Sequence, residues 1–104
     1  MKAITPQEFE LLKTSSDKLT IIDVREPWEY EEQNIGALNI PLCTLPIQLK
    51  KLEKYRFSKI VCHCKTGKRS QQAAKYLGKN GFQNVLSLEG GLQAYITQYA
   101  AEQG

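Results

Sequence analysis

No stretch of this 104-residue chain approaches the ~18 consecutive apolar residues that a membrane-spanning helix needs. The opening segment MKAITPQEFELLK has no apolar core and no small-residue cleavage site, so a secretory signal is not expected and the expected location is the cytoplasm. No run of five or six like charges occurs, which gives nucleic-acid binding little support. Repeats, low-complexity tracts and Pro/Gly/Ser-rich linkers are also missing. The three cysteines, Cys43, Cys62 and Cys64, are an odd number in a signal-less chain, so free thiols in a reducing compartment are expected rather than a disulfide framework. What is present is ordinary for one soluble domain: 41% hydrophobic and 24% charged residues, with a net charge of +3 that favours small anions as partners.

Thr5-Pro6-Gln7-Glu8 reads as a capping box with proline at the first helical position, and Phe9 and Leu12 then share a face, which predicts a helix over 6–14. LTIIDV (19–24) is a near-continuous apolar run, the pattern of a strand buried on both faces. Residues 27–33 suit a short helix carrying Trp28, and ALNIP (37–41) a short strand. Thr44 is placed to cap a helix with Leu45, Leu49 and Leu52 on one side. KIVCHC (59–64) predicts a strand ended by the polar loop KTGKR. A helix starting near Arg69–Ser70 then buries Ala73, Ala74 and Leu77, and Asn80-Gly81 stops it. NVLSL (84–88) is a further strand, and Leu92, Tyr95, Ile96 and Tyr99 stripe a last helix. Strands alternating with helices predict an α/β domain with a mainly parallel central sheet and helices on both faces. Ligands gather at the carboxyl ends of such sheets, where the loops after Val24, Cys64 and Leu88 begin.

Cys64 ends its strand just before a helix, so the loop between them must fold back tightly, with Gly67 supplying the backbone freedom. A loop of that kind turns N–H groups inward as a cradle for an anion, reinforced by the helix N-terminus. A thiol held there has its thiolate stabilised, and Lys65, Lys68 and Arg69 add positive charge. Together these features describe a nucleophile for an anionic substrate. The flanking CHC triplet invites a metal site, but on a strand Cys62 and Cys64 face one side and His63 the other. Three ligands so close cannot wrap one tetrahedral ion and no second ligand pair exists, so no metal is expected. His63 is expected as a packed or partly exposed side chain, Cys62 as a small buried hydrophobe and Cys43 as packing. Trp28, Tyr30, Tyr95 and Tyr99 are spaced as core or rim, not as a platform for stacking bases.

The segment Cys64-Lys65-Thr66-Gly67-Lys68-Arg69-Ser70 resembles the C-x-x-G-x-R-S active-site loop of the rhodanese family of sulfurtransferases. IIDVREPWEY (21–30) resembles the family's LIDVRExxEF, GALNIPL (36–42) its PGAINIPL, and LEGGLQAY (88–95) its LxGGxxAW. The resemblance implies a single rhodanese-like domain over residues 1–104 with a sheet of about five strands. It makes Cys64 the catalytic cysteine, which takes a sulfane sulfur and becomes a persulfide. The backbone of 65–69 then forms the cradle, Lys65, Thr66, Gly67, Lys68 and Arg69 bind the donor, and Asp23, Arg25 and Ser70 support the site. Basic residues in the loop mark the thiosulfate-using members, and charge complementarity with a small dianion agrees. The implied acceptor is cyanide or a thiol: a thioredoxin-like dithiol, glutathione or a sulfur-carrier protein. No metal, organic cofactor, nucleic acid or membrane is implied. A rhodanese-like module that docks partners or carries persulfide without turnover is the alternative.

Phosphatases with a C-x5-R loop also hold a cysteine in a backbone cradle, but here four residues separate Cys64 from Arg69, and six separate Cys62 from Arg69. The shorter loop suits one sulfur atom better than a tetrahedral phosphate. The chain departs from the family in two places. Asn34 stands where GHIPGA has histidine, with one residue fewer before Gly36, and Tyr95 replaces tryptophan. Both changes bear on the rim of the site and hence on acceptor choice.

Overall fold

The computed structural model describes residues 2–15 and 18–103. Its elements are β1 (Lys2–Ile4), α1 (Pro6–Ser15), β2 (Thr20–Asp23), α2 (Pro27–Glu32), β3 (Leu38–Asn39), α3 (Leu45–Gln48), β4 (Lys59–His63), α4 (Lys68–Lys79), β5 (Asn84–Leu88) and α5 (Gly91–Gln103). Short 3₁₀ segments at Leu42–Thr44 and Leu49–Tyr55 flank α3. The strands form one sheet in the order β1-β5-β4-β2-β3, and every neighbouring pair is parallel.

The apolar runs reflect this topology, because the central strands are covered on both faces. Ile22, Ile60 and Cys62 pack on one side with Leu45, Leu52, Ala73 and Leu77, so α3, the following 3₁₀ segment and α4 cover that face. Val61, Leu88 and Ile4 pack on the other side with Phe9, Leu92 and Tyr95 from α1 and α5. Phe9 is fully buried and meets the Tyr95 ring edge-on at 5.4 Å. Truncating a side chain so placed costs about 3–5 kcal/mol.

The capping box at α1 forms in both directions: the Thr5 N–H donates to Glu8 Oε1 at 2.9 Å and the Glu8 N–H to Thr5 Oγ1 at 3.1 Å. Elsewhere the structure corrects the expectations. β1, which supplies the edge strand beside β5, has only three residues before the Pro6 helix start, too few to show a periodicity. Thr44 does not cap α3. Its hydroxyl donates to the Pro41 carbonyl and accepts from Gln48, because the chain is already turning through a 3₁₀ segment there. Leu45 and Leu52 are nevertheless buried and Leu49 packs against them. The helix after the cysteine loop, expected to start near Arg69–Ser70, begins one residue earlier at Lys68, since Gly67, in the left-handed region at φ +111°, serves as its N-cap. No described helix is long and apolar enough to cross a membrane.

Candidate active site

The register pairs Asp23 of β2 with His63 of β4, so Cys64 emerges at the carboxyl edge of the sheet directly beside β2. The start of α5 shapes the loop that Cys64 heads. The N–H groups of Leu92 and Gln93 donate to the carbonyls of Cys64 (2.7 Å) and Lys65 (3.1 Å). With those carbonyls held toward α5, the loop's amides turn toward the sulfur: the Gly67 N–H donates to Cys64 Sγ at 3.0 Å and the Ser70 N–H at 3.4 Å. The sulfur thus lies at the N-terminus of α4, where amide donors and the helix dipole both favour negative charge. The close approach of α5 requires a glycine. At Gly91, with φ +64°, a Cβ would collide with the Lys65 carbonyl and come within 2.6 Å of the Cys64 oxygen.

Ser70 does more than support the loop. Its hydroxyl donates to the Gly67 carbonyl at 3.0 Å, lies 2.8 Å from the Ser87 hydroxyl and is 3.7 Å from Cys64 Sγ. A hydroxyl has one proton to give, so with that proton on Gly67 the Ser70 oxygen is an acceptor for the thiol. Ser70 and Ser87 are both buried, and Cys64 is only 1% exposed.

Of the remaining residues expected at the site, Lys65 and Thr66 follow Cys64 in the loop and Lys68 opens α4, and all three are exposed. Arg69 is already paired: its guanidinium grips both carboxylate oxygens of Glu29 on α2, at 2.6 and 3.0 Å. Those hydrogen bonds bring the Glu29 carboxyl down to about 2. Asp23 and Arg25 are buried at the carboxyl end of β2. The Arg25 backbone N–H and Nε each donate to Asp23 Oδ1 at 3.0 Å, and Nη2 donates to Oδ2 and to the Gln33 carbonyl, both at 2.7 Å. This tie anchors the ends of α2 to β2, and Asn39 adds bonds to the carbonyls of Asp23 and Arg25. Beside the loop is a cleft of about 500 Å³ whose walls include Arg25, Trp28, Glu29, Lys65, Gln93 and Ile96. Trp28, 62% exposed, forms part of its rim.

The neighbours of Cys64 differ from it sharply. Cys62 is buried in the core and burial pushes its thiol up to about 12, which makes it inert at neutral pH. His63 is fully buried, and neither ring nitrogen has a hydrogen-bond partner among the described residues. Its Nε2 is 3.8 Å from Asp23 Oδ2. Burial pushes the imidazole down to about 4, against the pull of Asp23. Cys43, expected as packing, is exposed on the 3₁₀ turn after β3. Among the described residues no three His, Cys, Asp or Glu side chains gather where they would hold one ion.

Three contributors escaped the sequence reading. Glu29 and Ser87 gave no signal, because their partners are 40 and 17 residues away. Gly91 stood in the LEGG segment, and its role is set by the backbone of a different loop. The Asn34 departure closes the shortened loop locally: its side chain accepts from the Gly36 N–H at 2.9 Å and donates to the Tyr30 carbonyl at 2.9 Å. Tyr95 packs in the other core cluster, against the Phe9 ring, with its hydroxyl receiving a 2.7 Å bond from Lys13 on α1.

Comparison with known proteins gives a consistent result. The Rhodanese-like domain profile matches residues 5–98. A sulfurtransferase of Allochromatium vinosum is 35% identical over 81 residues, which cover 77% of this chain and 74% of that protein. The tRNA uridine(34) hydroxylase of Cronobacter sakazakii is 40% identical over 88 residues, covering 80% of this chain but only 25% of the hydroxylase. A crystal structure of a rhodanese-related protein from Thermoplasma volcanium superposes with a TM-score of 0.84 at 31% identity, covering 95% of this chain and 94% of that one.

Proposed function

The chain belongs to the rhodanese-like domain family, and from that premise we propose that it is a sulfurtransferase that takes the outer sulfur of thiosulfate onto Cys64. The observation that carries this reading is the cradle: Sγ receives the N–H groups of Gly67 and Ser70 at the mouth of α4. In the first step the Cys64 thiolate attacks the outer sulfur of thiosulfate. The sulfur–sulfur bond of the donor breaks, its electron pair leaves with sulfite, and Cys64 carries a persulfide. In the second step cyanide or an acceptor thiolate attacks the terminal sulfur and returns the Cys64 thiolate, with thiocyanate or the acceptor persulfide as product. Charge balances in each step, and no other reactant is required.

The amide donors serve both steps by stabilising negative charge on the sulfur that attacks and later leaves. With Cys64 only 1% exposed, a donor must present its terminal sulfur end-on, which a small anion does readily. The exposed Lys65 and Lys68 supply attraction at the approach.

The test is intact mass after brief exposure to thiosulfate, followed by peptide mapping of the wild type and of Cys64→Ser and Cys62→Ser. The wild type and Cys62→Ser gain one sulfur atom on the peptide holding Cys64, and cyanide removes it; Cys64→Ser gains nothing. Equal losses in the two variants refute the assignment of the nucleophile. No gain in a wild type whose thiol is reduced refutes thiosulfate as donor.

A further inference from the structure

The loop's three cations are not equally available to a donor. The Arg69 guanidinium is satisfied by the Glu29 carboxylate through two charge-assisted bonds of 2.6 and 3.0 Å. Glu29 is itself fixed, because its Oε1 also accepts the Glu26 N–H at 2.9 Å in the capping box that starts α2. The Glu29 side chain is 11% exposed, that of Arg69 34%. Glu29 also lines the cleft beside Lys65. A carboxylate and a small oxyanion offer a guanidinium the same pair of acceptor oxygens.

We propose that Glu29 is an internal competitor for Arg69. It occupies the guanidinium in the free protein, an anionic donor gains Arg69 only by displacing it, and Glu29 thereby sets how strongly the site prefers anionic over neutral reagents. The identity of the donor rests on the sulfurtransferase reading above; the competition itself rests on the ion pair. Glu29 is therefore a specificity-determining residue that acts through Arg69 and has no part in the chemistry at sulfur.

The substitution Glu29→Gln removes the charge but keeps an amide oxygen able to accept the Glu26 N–H, so the α2 cap survives. Glu32→Gln, at the exposed end of the same helix and on the wall of the same cleft, removes an equal charge from a side chain that makes no ion pair among the described residues. The measurement is the rate of Cys64 alkylation by iodoacetate relative to iodoacetamide, two reagents of similar size that differ in charge. In Glu29→Gln this ratio rises about fivefold, the size expected when one partly exposed charged contact is freed. In Glu32→Gln it stays near the wild-type value, within about 1.5-fold. The KM for thiosulfate falls in Glu29→Gln by more than kcat changes. A ratio that is unchanged in Glu29→Gln, or that rises equally in both variants, overturns the proposal. So does a parallel change in both alkylation rates, which is what a purely structural strut gives. The alkylation ratio needs no turnover, so it still decides the role of Glu29 if the wild type takes no sulfur from thiosulfate and the donor assignment fails.

Discussion

Replacing Gly91 by alanine tests whether the start of α5 shapes the cysteine loop. Two costs add at this position. The residue sits at φ +64°, where an L-residue loses about 1 kcal/mol. The new Cβ also meets the carbonyls of Lys65 and Cys64, which are backbone atoms that no rotamer change can move. Relief requires the loop and the helix to separate, stretching the bonds from Leu92 to Cys64 and from Gln93 to Lys65, each worth about 1 kcal/mol. The expected destabilisation is therefore about 3 kcal/mol. Gly36 is the control, because it lies at φ +83° with no atom of the described residues within 4 Å of where a Cβ would stand. Gly36→Ala isolates the backbone strain and should cost about 1 kcal/mol. Urea unfolding measures both, and the rate of Cys64 alkylation reports the cradle. That rate falls about tenfold in Gly91→Ala, since the amides that face the sulfur move with the loop, and holds in Gly36→Ala. If the two alanine variants match in stability and in rate, α5 does not organise the loop and the account of the cradle is wrong.

Neutralising Lys65 and Lys68 together, as glutamine, raises the KM for thiosulfate about tenfold while kcat changes by less than about twofold, because attraction at the approach is common to ground and transition states. Steady-state kinetics at fixed ionic strength check this, and an unchanged KM shows that the loop's charge serves something else. His63 makes a second prediction, concerning pH. Its folded pKa, pushed to about 4, lies below the ordinary 6.5, so the unfolded chain binds the proton first. Stability is therefore full above about pH 6.5 and is lost as pH falls toward about 4, by about 3 kcal/mol in all. The chain has one histidine, so an NMR titration reads it without ambiguity. An imidazole that protonates near pH 6.5 in the folded protein contradicts the burial argument.

How far the sequence carried depends on how local each determinant is. The central strands were legible because both of their faces are buried, which leaves the near-continuous apolar run 19–24 and the apolar-rich run 59–64. The α1 cap was legible because donor and acceptor lie three residues apart. β1 was not, since three residues gain strand character only by lying against β5, more than eighty residues away. The bent path from Leu42 to Tyr55 escaped for a similar reason: the leucine spacing marks the buried face correctly but does not distinguish an α-helix from a chain turning through 3₁₀ segments. At the site, the composition of the loop gave its charge but not the state of that charge. Arg69 looked like Lys65 and Lys68 until the fold brought Glu29 of α2 against it, and no spacing rule connects residues 29 and 69.

The two cysteines of the CHC triplet show what separates a core thiol from one held in a cradle of amides. Cys62 and Cys64 belong to the same core cluster, on the same face of the sheet, and are 0% and 1% exposed, so burial does not distinguish them. Cys62 lies within β4, where backbone amides are committed to neighbouring strands, and its thiol is pushed up to about 12. Cys64 is the first residue past the end of β4. Beyond that point the amides of the chain have no strand to pair with, α5 takes the loop's carbonyls, and the N–H groups of Gly67 and Ser70 turn to the sulfur. The unpaired amides of a loop have to find an acceptor, and here the acceptor is Sγ. The end of the strand at His63, one residue beyond Cys62, is therefore what divides a core side chain from the candidate nucleophile.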